Sequence, residues 1–490
     1  MSLRVAYKSL ARSRVPVQAP LRRAFGGTSI RPQERQWSTP LAKQLFEAIS
    51  TTGTVPLASY MRMCLTGDVG GYYTGAIEQG RDQFGLKGDF VTSPEISQMF
   101  GELIAVWFIA EWISQGKPKN VQLIEIGPGR GTLMDDMLRT IKSFPAMANA
   151  IDAVYMVETS KQLQQSQKQR LCGDAPATDS DTGFHSTSKY SKTPVHWAES
   201  IKAVPSTPET TPFIIAHEFF DALPIHTFQT AVAPPPKPKP GSPPSTPDPA
   251  APKTMEWREL MVSPTPPGVS HDELGTPKKQ QNEPVPEFQL TLSPGTTRHS
   301  RFLPESSPRY RALKQTEGTV VEICPDAAIY TADFAARIGG SPKAPKAKPS
   351  GAALILDYGT TDTVPINSLR GIRQHKIVSP FAAPGLVDLS ADVDFAALAE
   401  AAMLGSEGVE VHGPICQADF LELMGIRERA GVLVKNAGAK KDVVEGIEKA
   451  WKRLVDRGPS GMGKVYKALA ILPENDGRRR PVGFGGDVSN

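Results

Sequence analysis

The sequence predicts an α/β fold: a doubly wound, mostly parallel sheet of the Rossmann-like kind, with an N-terminal helical segment and disordered insertions. Three observations carry this reading. Short apolar runs recur at Val121–Ile126, Ala153–Val157, Phe213–Ala216 and Ala352–Leu356. Helix-length amphipathic material separates them, as at Leu133, Met134, Met137, Leu138 and Ile141. The first run also enters a helix through a glycine-rich turn, "EIGPGRGT". Strands that are apolar on both faces and followed by helices belong to parallel sheets covered on both sides. Ligands of such sheets bind outside the carboxyl ends of the strands.

The elements follow in chain order. Residues 1–38 run from Arg4 to Arg35 with many basic residues and serines against one acid, Glu34. That is the composition of a mitochondrial transit peptide, so the mitochondrial matrix is the expected address. Residues 39–115 read as an N-terminal helical region. Within it "SPEISQMFGELIAVWFIAEW" sets Ile96, Met99, Phe100, Leu103, Ile104, Trp107 and Phe108 at helical spacing, predicting one long buried helix with Ser93 as its N-cap and Pro94 in its first turn. Residues 116–230 form the first part of the predicted core. Residues 231–287 begin with "AVAPPPKPKPGSPPSTPDPAAP" and stay polar and proline-dotted, which predicts a disordered insertion, because proline lacks the amide hydrogen and fixes φ. Residues 288–475 complete the core with helical additions, and 476–490 form a basic tail. Two weaker stretches, 173–193 and 341–350, read as loops.

Composition narrows the function classes. With 490 residues, 39% of them hydrophobic, the chain has material for one large domain or two ordinary ones. A net charge of +4, owed largely to the two ends, argues against a nucleic-acid footprint. No apolar run approaches the roughly 18 residues of a membrane span. Cys64, Cys172, Cys324 and Cys416 lie far apart without a C-x-x-C pair, so neither a zinc site nor a disulfide frame is expected of them. The cluster Asp388, Asp392 and Asp394 has no accompanying histidine at a useful spacing, and no metal is expected.

The glycine turn carries the chemistry. Gly127 and Gly129 let the backbone approach a ligand, and the helix starting near Thr132 aims free amide hydrogens at it. A dinucleotide fingerprint would need glycine where Thr132 stands. The pattern is instead E-x-G-x-G-x-G, from Glu125 through Gly131, and it resembles motif I of class I S-adenosylmethionine-dependent methyltransferases. One βαβ unit on, "VYMVETS" ends a strand in Glu158, an acceptor for ribose hydroxyls. From the residues alone, this pair fits S-adenosylmethionine or NAD.

Longer strings narrow the choice. "GDFVTSPEISQMFGELIAVWF", "LIEIGPGRGTLMDDMLR", "AHEFFDALPIHTFQ", "EICPDA", "LILDYG" and "DLSADVDF" occur in this order. Together they resemble the MidA family of mitochondrial protein arginine methyltransferases, complex I assembly factors, from about Pro56 to Leu472. The resemblance implies a class I fold, S-adenosylmethionine as cofactor, and symmetric dimethylation of an arginine in the complex I core subunit lining the quinone site.

Methyl transfer to arginine demands a positioned and polarised guanidinium, which paired carboxylates supply by bidentate hydrogen bonding and proton acceptance. Glu218 and Asp221, just past the run Phe213–Ala216, are the candidate catalytic residues, with Phe219 and Phe220 as pocket walls or core. Glu125, Gly127, Gly129, Gly131 and Glu158 are the candidate cofactor contacts. Ser93 and Glu95 are added as part of a loop closing over the cofactor. Two other classes remain open: a methyltransferase for a small metabolite, and an assembly scaffold that kept the fold and lost the reaction.

Overall fold

The computed structural model describes residues 35–75, 88–89, 91–181, 183–234, 254–459, 461–478 and 480–485. The expected transit peptide lies outside these residues except for its last four. Within those four, Arg35 Nη1 donates to the Thr265 carbonyl at 3.0 Å, and the Ser38 amide to Glu287 Oε1 at 2.8 Å. Folded structure therefore begins ahead of residue 39.

Helices α1 (Pro40–Thr52) and α2 (Leu57–Thr66) flank a two-residue strand, β1 (Val55–Pro56). The predicted long helix is two pieces, α3 (Ser93–Ile96) and α4 (Gln98–Ser114), broken where Ser97 adopts φ −159°. Ser93 is not the cap. Thr92 is, with Glu95 closing a capping box onto its backbone, while Ser97 caps the second piece by accepting from the Met99 amide. Two serine–threonine caps within six residues favour two short entries over one continuous helix.

The core elements follow: β2 (Val121–Ile126), α5 (Thr132–Ile141), α6 (Pro145–Ala148), β3 (Ile151–Val157) and α7 (Lys161–Cys172). The stretch expected as loop at 173–193 contains the edge strands β4 (Thr178–Ser180) and β5 (Gly183–Thr187), the latter antiparallel to β6 (Pro194–Ala198). Next comes β7 (Thr211–His217), then β8 (His226–Val232) and β9 (Met255–Pro264). β9 corrects the reading of 231–287 as disordered throughout. Its sequence "MEWRELMVSP" lays Trp257, Glu259 and Val262 inward, and it pairs antiparallel with β8, Val232 opposite Met255. The remainder of the proline-dense run, residues 235–253, lies outside the described residues.

β10 (Phe288–Leu292) and β11 (Val320–Ile323) complete a second sheet with β1, β8 and β9, and the short helices α8 (Arg298–Phe302) and α9 (Pro308–Ala312) lie between them in sequence. After α10 (Pro325–Gly339) the chain returns to the first sheet in β12 (Ala352–Thr360). A small sheet of β13 (Arg370–Arg373), β14 (Lys376–Val378) and β15 (Asp388–Ser390) precedes β16 (Val393–Asp394) and α11 (Phe395–Gly405). The last elements are β17 (Val409–Cys416), α12 (Gln417–Leu423), α13 (Ile426–Ala437), α14 (Lys441–Val455) and β18 (Tyr466–Pro473).

The main sheet runs β17-β18-β12-β7-β2-β3-β6-β5-β4. Its centre, β12-β7-β2-β3-β6, is wholly parallel, and β18 inserts antiparallel between β12 and β17. Alternation along each strand sorts the core. Leu123, Phe213, Ile215, Leu354 and Leu356 pack with Phe108 of α4 and Met134 of α5 on one face. Ile124, Ile126, Ile214, Ala216 and Ile355 pack with Phe334 of α10 and Phe395 of α11 on the other. The chain leaves β2 toward β3 on one side, and β7 lies on the other. The strand order therefore reverses at β2, and a crevice opens at its carboxyl end.

Because Val232 and Met255 are already opposite one another, the chain between them closes over no structural gap. Deleting residues 236–252 is expected to change unfolding free energy by less than ~1 kcal/mol in a denaturant titration; a loss of several kcal/mol would show that this segment packs on the fold.

Candidate active site

A cavity of about 300 Å³ lies at that reversal, with Glu125, Gly127, Gly129, Glu158, Glu218 and Glu95 among its lining residues. The loop after β2 has three left-handed glycines: Gly127 at φ 64°, Gly129 at 51° and Gly131 at 75°. Gly131 caps α5 directly, so the amides of the first helical turn face the cavity side. A Cβ on Gly127 would stand 2.8 Å from the Phe219 ring, so both conformation and space demand glycine there.

Gln167 on α7 braces this loop and was not anticipated. Its Nε2 donates to the Gly129 carbonyl at 2.7 Å and to Glu158 Oε2 at 3.3 Å, while its Oε1 accepts from Trp197 Nε1 at 2.9 Å. One side chain thus ties the glycine loop to the acid at the end of β3. In "KQLQQSQKQ" nothing distinguishes it from its glutamine neighbours except the helical phase that buries it.

Glu158 also accepts the Ser160 amide at 2.8 Å, and burial, against these donors, pushes its carboxyl up to about 7. Glu125 is buried more completely. Burial raises it to about 8, with Glu158 adding to the rise and the Met134 amide opposing it, and its Oε2 has no partner among the described residues.

Ser93 and Glu95 part company. Glu95 lines the cavity and meets Arg130 of the glycine loop at 3.2 Å, clamping α3 onto that loop. Ser93 is buried behind it, its hydroxyl 3.9 Å from Met462 Sδ, and its amide points to Glu218.

The second wall is the turn after β7. Glu218 takes the left-handed conformation, φ 50°, and its amide donates to the Leu356 carbonyl at 2.9 Å. A non-glycine residue there costs on the order of 1–3 kcal/mol, which the surroundings must offset. Asp357, in β12 just past its pairing with β7, does so: its Oδ2 accepts from the amides of Phe219 at 3.1 Å, Phe220 at 2.9 Å and Asp221 at 3.3 Å. Phe219 walls the cavity, and Phe220 points into the core beside Phe334.

Glu218 lines the cavity and Asp221 does not. Glu218 Oε1 is buried without a hydrogen-bond partner among the described residues. His217 Nε2 is 3.3 Å away without hydrogen-bonding geometry, and burial depresses that imidazole to about 3, so it is neutral. Burial and then Asp221 push the Glu218 carboxyl far above the carboxylate range, against the Ser93 amide and the Tyr466 hydroxyl.

Asp221 sits one layer deeper and accepts from the Tyr358 hydroxyl, with its Oδ1 unpartnered. Burial raises it, and the Arg370 guanidinium, 4.3 Å over the Tyr358 ring, pulls it back. Asp388 joins the group through Tyr73, whose hydroxyl donates to it at 2.9 Å. The acidic trio of "DLSADVDF" divides among protein partners: Asp388 with Tyr73, Asp392 with Arg370 at 2.7 Å, and Asp394 with Arg309 at 3.0 Å while capping α11.

The comparisons with known proteins agree with this geometry. The family model described as "Putative S-adenosyl-L-methionine-dependent methyltransferase" matches residues 103–415. The protein arginine methyltransferase NDUFAF7, mitochondrial, of Xenopus tropicalis is 35% identical over 91% of this chain and 90% of its own length. The chain belongs to this methyltransferase family. The human protein of the same name is 34% identical over 89% of this chain and 84% of its own. A Burkholderia thailandensis crystal structure bound to S-adenosyl-homocysteine shares the fold, with a TM-score of 0.64 at 22% identity over 92% of this chain and 95% of that one.

The cofactor of the family is S-adenosylmethionine, and the residues of the cavity fit it. Glu158 offers acceptor oxygens for a ribose diol, the unpartnered Glu125 Oε2 can take a donor such as an ammonium, and Leu133, Val157 and Leu163 supply an apolar lining for a base.

Gly127→Val forces a β-branched residue into a left-handed conformation against Phe219 and is expected to abolish S-adenosylmethionine binding in calorimetry. Glu158→Ala is expected to weaken it by ~1–3 kcal/mol. Glu125 makes a separate prediction. Its folded-state pKa, about 8, lies above its unfolded value of about 4.5, so its stabilising contribution is full below the lower value and is lost as pH rises through the upper one. The melting temperature of cofactor-free protein is expected to fall across that window, and Glu125→Gln should flatten the fall; parallel curves would contradict it.

Proposed function

We propose that the protein is an S-adenosylmethionine-dependent protein arginine methyltransferase of the mitochondrial matrix. Its acceptor, on this reading, is an arginine of the complex I core subunit that lines the quinone site, carried to symmetric dimethylarginine in support of complex I assembly. The observation that carries the acceptor class is the buried, unpartnered Glu218 Oε1 on the cavity wall, backed by Asp221, Asp357 and Asp388 with Arg370 as their nearby cation. A concentration of buried acids beside a cofactor loop suits an acceptor that brings positive charge and several donors, as a guanidinium does. The names of the relatives and the basic start of the chain support the arginine and the mitochondrial address.

When bound, S-adenosylmethionine supplies an electrophilic methyl group on a sulfonium. Glu218 accepts hydrogen bonds from the guanidinium, localises its charge away from the attacking nitrogen, and takes the proton released as the new bond forms. Asp221 adds negative charge behind Glu218, and Asp357 fixes the turn that aims Glu218. Phe219 presents a ring at the cavity wall for stacking. Burial favours the neutral form of this carboxyl in the empty site, and the arriving cation favours its ionised, accepting form.

Glu218→Gln is expected to lower the methylation rate by ~10²-fold or more while leaving calorimetric S-adenosylmethionine affinity unchanged. The assay incubates mitochondrial extract lacking this protein with labelled cofactor and uses fragmentation mass spectrometry to separate symmetric from asymmetric dimethylarginine. Label appearing only in small molecules, or in no product, would overturn the reading; so would a Glu218→Gln enzyme that works at the wild-type rate.

A further inference from the structure

Away from the cavity, two strands of the second sheet and the helix α8 bring two imidazoles and a carboxylate together. His226 opens β8, Glu259 lies in the middle of β9, and His299 is in the first turn of α8. One ligand atom from each residue lies within 4.8 Å of the other two. His226 Nδ1 is 2.7 Å from Glu259 Oε1 and His299 Nδ1 is 3.4 Å from the same oxygen. The Glu259 side chain is 1% exposed, and its ion-pair partners are these two histidines, each charged only when protonated. A buried carboxylate facing two imidazole nitrogens at one point is a metal-type ligand set.

We propose that His226, Glu259 and His299 form a binding site for a divalent cation of the zinc class, distinct from the methyl-transfer site. The ligand set, two nitrogens and one carboxylate oxygen, suits zinc and its borderline neighbours and disfavours magnesium or calcium, which take oxygen. Tetrahedral coordination at ~2.1 Å separates ligand atoms by roughly 3.4 Å. The Glu259–His299 separation already has that value, and the His226–Glu259 contact needs to open by roughly 0.7 Å on the same scale.

The surroundings are those of a supported site. Thr297 Oγ1 donates to the other Glu259 oxygen at 2.5 Å, orienting the carboxylate, and the Ser293 amide and hydroxyl fix the Glu259 backbone at 2.9 and 3.1 Å. The His226 ring lies parallel to Phe228, with an interplanar angle of 6°. His299, 43% exposed, provides the entry path and leaves a position for water. The ion would join β8, β9 and α8 and anchor the start of β8, which follows Asp221 after only the turn Ala222–Ile225. Sequence spacing gives no hint of it, since the three ligands come from positions separated by the proline-rich stretch and by β10.

The test uses the full chain without an affinity tag, treated with chelator, and titrated with zinc chloride alone in calorimetry at neutral pH. One saturable equivalent and a higher melting temperature with zinc are expected. His299→Ala, at a half-exposed position, should leave the metal-free melting temperature unchanged, weaken zinc at least tenfold, and leave S-adenosylmethionine affinity intact. Glu259→Gln should do the same if it folds, and His299→Ala decides the matter if it does not. Absence of saturable binding would overturn the proposal and leave a histidine–carboxylate pair that holds only a proton. Binding that is undiminished in His299→Ala would also overturn it, assigning the metal to other residues.

Discussion

One buried carboxylate holds the β7 side of the cavity together. Asp357 is fully enclosed within a central strand, and its Oδ2 receives three successive backbone amides from the turn after the neighbouring strand. Those amides have no strand partner once β7 ends, so the side chain supplies the acceptor that secondary structure cannot. In return the turn is held tightly enough for Glu218 to sit in a left-handed conformation with its carboxyl on the cavity wall. Parallel pairing of β7 with β12, Leu356 opposite His217, brings the two segments into register. Without that register the Glu218 geometry has no support.

Burying several acids together sets stability against chemistry. Glu218, Asp221, Asp357 and Asp388 are all pushed upward, chiefly by burial; Asp221 adds to the rise at the other three, while Tyr358 and Arg370 oppose the rise at Asp221 itself. Tyrosine hydroxyls satisfy part of the group: Tyr358 donates to Asp221 and Tyr73 to Asp388. The remaining open acceptors, Glu218 Oε1 and Asp221 Oδ1, are the kind of unpaired buried atom that a fold avoids unless a ligand completes it. The cofactor half carries a milder version of the same tension at Glu125 and Glu158.

What the sequence made legible was local. The central strands, the glycine turn and the acid ending β3 each announce themselves within a few residues, through apolar runs, left-handed glycines and a strand-end charge. What it hid was either nonlocal or out of step with composition. Gln167, Tyr73 and Tyr466 acquire their roles from neighbours far along the chain, and no short window marks them. The second sheet was missed because β9 follows a proline-dense stretch whose polarity coloured the reading of everything up to Pro286. Its inward residues, Trp257, Glu259 and Val262, include an acid, which breaks the apolar pattern a buried strand usually shows. The long helix was split at Ser97 because helical spacing of apolar residues persists through a short break, whereas the capping residues that mark the break look like ordinary surface polarity.

The antiparallel β18 has a consequence for the order in which the molecule matures. It is the last strand of the chain, yet it inserts between β12 and β17 and brings Tyr466 against Glu218. The cofactor half is built from residues 121–167 with Trp197 behind them, whereas the acceptor half waits for residues beyond 350 and is closed by the final strand. During synthesis from the amino end, a nascent chain can assemble a nucleotide pocket long before it owns a substrate pocket. Residues of the glycine loop thus leave the ribosome well before β18, the strand that brings Tyr466 to Glu218 and completes the far wall of the cavity.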